Sequence, residues 1–412
     1  MCGDPRGGPD GTRAPLFWLG TGAVLAVAGV AAASVLGMLR PATDLGDDPI
    51  VMDRGTGALY VRVDDVVHPV LNLTSARLVS GGADDPVAVS GDALTRVERG
   101  PTLGIPGAPD RIGPALEPDE ATWTVCDGER TVVAAGIPVP AEASVGTVLV
   151  RGPTGITHLL FDGRRAVVDT GDPAVVRALH LDTVTPLTVS APLLAVLPEA
   201  PPVAAPRIPG VGGPGPATLP GLTVGDVVRI DKAGGPELFV VLTAGVQRIG
   251  AVAADLIRFS AGERRTVPTL APDALAGVPV VGTLQVADLP DRVDFTDPRQ
   301  VCAYWADGAV SVSTGDELPG GITPTPLAQA DGAGPAVDAV HLPPGRSLFV
   351  HPGVVITETG VRHGVDTEAA RLLGLPEHPV AAPWSVVSAL PEGPELTRAA
   401  ALVQRDAAAA PR

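Results

Sequence analysis

Along residues 58–78 the chain reads ALYVRVDDVVHPVLNLTSARL: an apolar run, a pair of aspartates, a second apolar run, and then apolar residues at helical spacing. The same order returns in THLLFDGRRAVVDTGDPAVVRAL at 157–179, LFVVLTAGVQRIGAVAADLI at 238–257 and VVITETGVRHGVDTEAARLL at 354–373. Two short apolar runs around a turn predict a β-hairpin, and the segment after them predicts a short helix. A hairpin with one helix cannot bury both faces of its sheet alone, so each copy is expected to pack on a neighbour or on shared strands. Four such copies make a pseudo-symmetric array of small modules. That shape suits scaffolding better than housing one deep catalytic pocket.

Local signals sharpen each copy. Turns are expected at Asp64-Asp65, Asp162-Gly163, Ala244-Gly245 and Thr359-Gly360, where Asp or Gly tolerates the backbone angles of a tight turn. Asp172 followed by Pro173 places a capping acceptor before a proline at the first helical position, predicting a helix over residues 174–179. In the fourth copy Asp366 is the expected cap, with Glu368 in the first turn and Gly374 as the stop. The first copy offers Thr74 or Ser75, and the third offers no comparable cap.

Residues 196–221, VLPEAPPVAAPRIPGVGGPGPATLPG, are too rich in Pro and Gly for helix or sheet and predict a semi-stiff linker. It divides the chain into halves, each with two repeats and one intervening segment. The first intervening segment contains ATWTVCDGERTVVA around Cys126 and the second VDFTDPRQVCAYWADGAVSV around Cys302. Both have Val before Cys, a Trp nearby (Trp123, Trp305) and a downstream Asp-Gly (Asp127-Gly128, Asp307-Gly308), and the midpoint of the two cysteines falls inside the linker. The segments are therefore expected to meet as symmetry mates in a central β layer. In an exported chain the meeting implies a Cys126–Cys302 disulfide, the alternative being two free buried thiols. Cys2 is left without a partner.

Export is suggested by residues 16–39, LFWLGTGAVLAVAGVAAASVLGML, a stretch without a charge. At about 1.5 Å per residue it is long enough to cross a hydrocarbon core of about 30 Å. Arg6 and Arg13 precede it and Asp44, Asp47 and Asp48 follow, with Arg40 at the exit, which places the N-terminus in the cytoplasm and the remainder outside. The other reading is a cleaved signal peptide ending at Ala31-Ala32-Ala33; the apolar run continuing through Val35, Leu36, Met38 and Leu39 favours a retained anchor.

Of the 412 residues 45% are hydrophobic but only 3% aromatic, and 50 Gly with 45 Pro call for many short elements rather than long helices. A net charge of −17 with no basic run argues against a nucleic-acid partner. The sole lysine, Lys232, lies in Asp231-Lys232-Ala233-Gly234-Gly235-Pro236, where no glycines precede it in P-loop spacing and no Ser or Thr follows, so there is no Walker A motif. The histidines His68, His158, His180, His341, His351, His363 and His378 form no H-x-x-x-H or H-E-x-x-H pattern. No Gly-x-Ser-x-Gly elbow is present, and the acidic pairs Asp47-Asp48 and Asp84-Asp85 sit in turn-rich sequence. Asn72-Leu73-Thr74 fits a glycosylation sequon, but its place in a repeat points to strand ending and helix capping. No catalytic, cofactor-binding or metal-binding residue is assigned; Cys126 and Cys302 are the site residues expected.

Several ordered stretches resemble one family. They are LYVRV at 59–63, HPVLNLTSARL at 68–78, WTVC at 123–126, GVQR at 245–248, VCAYW at 301–305, TGVR at 359–362, and the closing Pro383-Trp384, Leu390-Pro391 and Gly393-Pro394. In these the chain is similar, from Leu16 to its C-terminus, to the EccB component of type VII (ESX) secretion systems. The resemblance implies a structural subunit of the inner-membrane core complex, a single-pass protein whose periplasmic part has a central β domain, four repeat domains and one disulfide. It implies partners of the EccC, EccD and EccE type, a mycosin protease, self-association and contact with peptidoglycan. Some members of the family are described as ATPases, so the alternatives to the subunit role are a nucleotide hydrolase associated with the secretion complex and a stand-alone peptidoglycan-binding module. About fifteen residues precede the apolar stretch, where family members carry a longer arginine-containing segment, so the contacts of that segment are not carried over.

The expected fold is α+β and β-rich: a transmembrane helix, then an elongated pseudo-two-fold region. Its parts are a cytoplasmic segment at 1–15, the span at 16–39, a linker at 40–55, repeat 1 at 56–90, the first central half at 91–150 and repeat 2 at 151–195. After the linker at 196–221 come repeat 3 at 222–265, the second central half at 266–335, repeat 4 at 336–376 and a tail at 377–412.

Overall fold

A computed structural model of the chain describes residues 45–140, 146–232, 234–262, 266–332 and 334–406. The expected membrane span at 16–39 lies outside them; among the described residues no helix is long and apolar enough to cross a membrane. The chain is mixed α and β and rich in small sheets. It divides into two compact units, one of residues 45–111, 371–374 and 396–406, the other of the described residues within 112–370 and 375–395.

Each of the four repeats is larger than the hairpin and helix read from the sequence. A strand before the hairpin extends it to a three-stranded antiparallel meander: Ile50–Asp53 before Leu59–Val63 and Val66–Val70, Val148–Arg151 before Thr157–Phe161 and Arg164–Val168, Val227–Lys232 before Gly235–Leu242 and Gly245–Ile249, and Leu348–Val350 before Val354–Ile356 and Arg362–Gly364. After the helix the chain returns beside the first strand in parallel, at Val51↔Val87, Val150↔Leu187, Arg229↔Thr269 and Val350↔Val380. It then crosses a second short helical turn and runs parallel to the third strand, at Val67↔Arg99, Arg165↔Glu199, Val246↔Val280 and Arg362↔Glu392. In strand numbers the lanes therefore lie in the order 4-1-2-3-5 in every repeat. The N–H of Val67, Arg165, Val246 or Arg362 donates to a carbonyl of the fifth lane at 2.9 Å in all four. These added lanes pair with both edges of the meander.

The second repeat shows what the proline-rich stretch becomes. Residues 196–221, read as a linker without helix or strand, begin with the strand Glu199–Val203, the fifth lane of repeat 2. Pro201 and Pro202 are tolerated because the strand lies at the sheet's edge, where a missing N–H breaks no second ladder, and the register shifts between Ala200 and Val203.

Helix ends follow mostly expected chemistry. Asp172 accepts from Ala174 N–H at 2.8 Å and Asp366 from Ala369 N–H at 2.7 Å. In the first repeat Asn72, not Thr74 or Ser75, is the cap of Leu73–Ser80, accepting from Ser75 N–H at 2.8 Å, while Ser75 Oγ accepts from Ile105 N–H. Helix Ala251–Ser260 in the third repeat has no side-chain cap, yet it is the longest among the described residues. Its first N–H groups, of Ala251 and Val252, reach the Asp291 carbonyl at 2.6 and 3.3 Å. A loop brought in by the tertiary fold does the work of a cap. The turn of that repeat's hairpin falls one residue earlier than expected, at Thr243-Ala244, with Gly245 opening the next strand.

In the first unit Leu73–Ser80 covers the sheet with Ala76 and Leu78 fully buried, and the C-terminal helix Arg398–Ala401 packs beside it. Thr102 bridges to Arg405, so the C-terminal stretch is part of this unit.

In the second unit a six-stranded sheet runs Ala309–Gly315, Gln300–Ala306, Trp123–Asp127, Val132–Ala135, Ala339–His341, Thr325–Pro326. Ala191–Val196 and Trp384–Val387, the second helices of repeats 2 and 4, pack together, and both feed the core that holds Trp123, Val125, Val301 and Ala303. Helix Pro173–Ala178 of repeat 2 packs on Ala251–Ser260 of repeat 3 through Val175, Ala178, Val252 and Leu256. Each fully buried Val or Leu in these contacts contributes roughly 1.5–3 kcal/mol.

Candidate functional site

The middle of the six-stranded sheet is where the two intervening segments meet. Trp123–Asp127 and Gln300–Ala306 pair antiparallel with Cys126 opposite Cys302 and Trp123 opposite Trp305. The structure joins the cysteines in a disulfide, with Cα atoms 4.0 Å apart and both residues buried. Val132, Tyr304 and Ala339 enclose it, and Gln300 Nε2 lies 3.1 Å from Cys302 Sγ.

Next to this bond lie two buried carboxylates, Asp127, known from the sequence only as half of an Asp-Gly turn, and Asp338, which carried no signal. Asp127, 2% exposed, ends its strand, and its Oδ2 accepts from Ser190 N–H at 2.6 Å. Asp338, also 2% exposed, accepts from Thr131 N–H at 2.7 Å on one oxygen and from the N–H groups of Asp331 and Gly332 at 2.8 and 2.7 Å on the other. Burial pushes the Asp127 carboxyl above its usual range; the Ser190 N–H and the hydroxyls of Thr131 and Ser190 oppose that shift, and nearby Asp338 adds to it.

A second recurring position lies in the third strand of each repeat, opposite a fully buried residue: His68 opposite Val61, Ala166 opposite Leu159, Gln247 opposite Val240 and His363 opposite Val355. His68 Nδ1 meets Pro101 O and His363 Nδ1 meets Pro394 O, each at 2.9 Å. Both rings lie on a glycine: a Cβ at Gly100 would come 2.1 Å from His68 Cε1, and one at Gly393 would come 2.2 Å from His363 Cε1. Gln247 serves repeat 3 in the same way, its amide donating to Leu284 O at 2.8 Å and accepting from Leu284 N–H at 2.7 Å. These polar side chains fasten the return segments. They do not form nucleophile–base pairs.

Lys232 Nζ bonds Glu237 Oε2 at 2.5 Å and lies 5.8 Å from the Phe239 ring centre, across the first two strands of repeat 3. Among the described residues no group of three or more His, Cys, Asp or Glu is placed to hold a metal. A signal for the fifth lanes was present in the chain: Leu197-Pro198-Glu199-Ala200-Pro201 and Leu390-Pro391-Glu392-Gly393-Pro394 are near copies and occupy equivalent places, with Arg165–Glu199 and Arg362–Glu392 ion pairs at 3.2 and 2.5 Å.

Residues 2–410 match the family described as type VII secretion system ESX-1, transport TM domain B, or EccB. The chain belongs to the EccB family. It is 35% identical to the ESX-3 secretion system ATPase EccB3 of Mycolicibacterium smegmatis over 94% of this chain and 83% of that protein. To the ESX-5 secretion system ATPase EccB5 of Mycobacterium tuberculosis it is 32% identical, over 92% and 86%. Among solved structures, a chain of an intact ESX-5 inner membrane complex superposes with a TM-score of 0.73 at 31% identity, covering 96% of this EccB chain and 89% of that one. A chain of the EccB3 dimer from the ESX-3 core complex gives 0.70 at 36% identity, covering 86% and 100%. The sheets and repeats of this EccB chain are thus those of proteins solved inside secretion complexes.

Proposed function

We propose that this EccB chain is a structural subunit of the inner-membrane core complex of a type VII (ESX) secretion system. In this reading the span at 16–39 anchors it, the N-terminus is cytoplasmic, and the repeats and central sheet form a periplasmic scaffold. The observation that carries the reading is the likeness, over 96% of the chain, to a chain of an intact ESX-5 inner membrane complex. The fold agrees with it: four copies of one 4-1-2-3-5 module offer surfaces for partners, and among the described residues no catalytic constellation accompanies them. Partners of the EccC, EccD and EccE type, a mycosin protease, further copies of the same chain and peptidoglycan are the contacts this role would use. The relatives' names carry the word ATPase, and that is the competing reading for this chain; its one lysine lies outside any P-loop and is ion-paired to Glu237.

Purification from the native membrane in mild detergent tests the proposal. Co-purification of a multispanning membrane protein and a cytoplasmic ATPase is the expected result, and a clean monomer would count against it. ATP hydrolysis by the purified protein that survives removal of contaminating ATPases would favour the competing reading.

A further inference from the structure

The fifth lanes of the four repeats align on one shared bond, in which Glu98, Pro198, Pro279 or Pro391 gives its carbonyl to an N–H of the third strand. The next residue is charged in three of them, Arg99, Glu199 and Glu392, and two positions further the same three carry Pro101, Pro201 and Pro394. Charges and prolines are the usual means of keeping a free sheet edge from pairing with another chain. Repeat 1 is closed a second way: Thr102 O accepts from Arg405 N–H at 2.8 Å and Gly104 O from Arg405 Nε at 2.9 Å, where the C-terminal stretch pairs antiparallel with the lane. Repeat 3 has none of these devices among the described residues. Its charged position is Val280, 69% exposed, and its proline position is Gly282, in the run Val280-Val281-Gly282-Thr283.

Val281 N–H donates inward to Val246 O at 2.8 Å, which turns the main-chain groups of its neighbours Val280 and Gly282 out of the sheet. No hydrogen bond among the described residues engages the N–H or C=O of Val280, Gly282 or Thr283. A Cβ on Gly282 would meet nothing within 4 Å, and its backbone is not in the left-handed region, so no contact among the described residues requires glycine there. A strand glycine of that kind suits the close approach of another backbone. Val280 shares a face with its bridge partner Val246, and Arg248, two residues on, lies on the same face. Arg248 is 68% exposed; its ion pair to Glu237 is long, at 4.0 Å, and Glu237 is shared with Lys232. Gly282, Arg248 and Arg292 line one cleft of about 680 Å³.

We propose that the edge at residues 280–283 receives an extended segment of a partner protein, added antiparallel as a sixth lane of repeat 3, with an apolar residue beside Val280 and an acidic residue over Gly282 toward Arg248. The antiparallel sense follows the pairing of Thr102 with Arg405 at the matching edge of repeat 1. In such strand addition the main-chain bonds supply affinity and alternate side chains supply choice. The bare valine selects an apolar neighbour and the exposed guanidinium an acidic one. This inference does not rest on the assembly reading.

The test is fluorescence polarisation of the labelled peptide Thr-Val-Thr-Glu-Thr-Val-Thr, which sets Val and Glu on one face of a strand, titrated with the full chain in mild detergent. Saturable binding is expected, roughly fivefold weaker when Lys replaces Glu, the scale of one exposed ion pair. Gly282→Pro gives repeat 3 the residue that the other three repeats carry, leaves the inward bond of Val281 in place, and should abolish binding. N-methylation of the two valines, whose N–H groups face the edge in this register, should abolish it too, whereas N-methylation of the two threonines beside Glu should leave it. Absence of saturable binding would overturn the proposal, as would equal binding by wild type and Gly282→Pro, or equal binding of the two methylated peptides, which would show docking through side chains alone. Self-association of the full chain that Gly282→Pro abolishes, with no peptide binding, would make the edge a contact between copies and overturn it as well. Thermal unfolding verifies the fold of Gly282→Pro; should it not fold, the methylated peptides decide on the wild type.

Discussion

Cys126 and Cys302 stand opposite each other in adjacent antiparallel strands, and Trp123 and Trp305 face each other across the same pair. Trp123 precedes its cysteine by three residues and Trp305 follows its own by three; in an antiparallel pair with the cysteines in register, those offsets are what put the two tryptophans at paired positions. The disulfide thus bridges segments 176 residues apart.

Breaking that bond should be expensive. For a loop of this length the chain-entropy argument gives up to about 5 kcal/mol. Cys302→Ser is expected to lower the denaturant midpoint strongly, and reduction of the wild type should reproduce most of the loss. Thiol labelling of denatured, unreduced protein should reach Cys2 alone; labelling of all three cysteines would sink the idea.

Gly393 is expected to tolerate no side chain while His363 is present. Its backbone is not in the left-handed region, so the effect of Gly393→Ala is a steric one against the imidazole at 2.2 Å. Overpacking of this kind costs roughly 1–3 kcal/mol. The double variant His363→Ala with Gly393→Ala should recover much of the loss, because repeat 2 already holds Ala166 opposite Ala200 at the same place. A double-mutant cycle without coupling would show that the contact is not what requires the glycine.

How far the fold could be read from the chain follows from where its signals lie. The four hairpins were legible because each has several apolar residues around an Asp or Gly turn, and Asp172 and Asp366 marked helix starts through local chemistry. The fourth and fifth lanes were not, since they are one to five residues long and gain strand character only from a neighbour. Glu199–Val203 reads as linker because two of its five residues are prolines, and only its likeness to residues 390–394 betrays it. The helix Ala251–Ser260 lacked a legible cap because its cap is the Asp291 carbonyl, forty residues away. Asp127 was legible as half of an Asp-Gly pair, whereas its burial depends on Ser190 arriving from repeat 2.

The repeated Arg–Glu pairs should matter little by comparison. Glu392 is 70% exposed and Glu199 60%, and exposed pairs of this kind contribute about 0–1 kcal/mol. Glu392→Gln is expected to shift the unfolding midpoint only slightly, and less still at high salt. A loss as large as that of Gly393→Ala would mean that the pair, and not the packing of the ring, holds the fifth lane.

Asp127 and His363 should give the stability a pH dependence of opposite sign at two different places. Burial raises the folded-state pKa of Asp127, so its contribution is fully present below the ordinary carboxyl range and is lost as pH rises through the folded value, where the folded chain must carry a buried charge. For His363 burial lowers the folded-state pKa against the opposing bond to Pro394 O. The unfolded chain therefore takes up its proton first, and stability falls as pH drops below the ordinary imidazole range. Asp127→Asn keeps an acceptor for Ser190 N–H without the charge. At pH 7–8 it is expected to be more stable than wild type, because the folded chain no longer carries a buried charge there. The gap should close as pH is lowered toward the carboxyl range, while His363→Gln flattens the profile just below neutrality. Denaturant unfolding of the three proteins across this range measures both effects. An Asp127→Asn variant that is less stable than wild type at pH 8 would show that the ionised carboxylate is already satisfied.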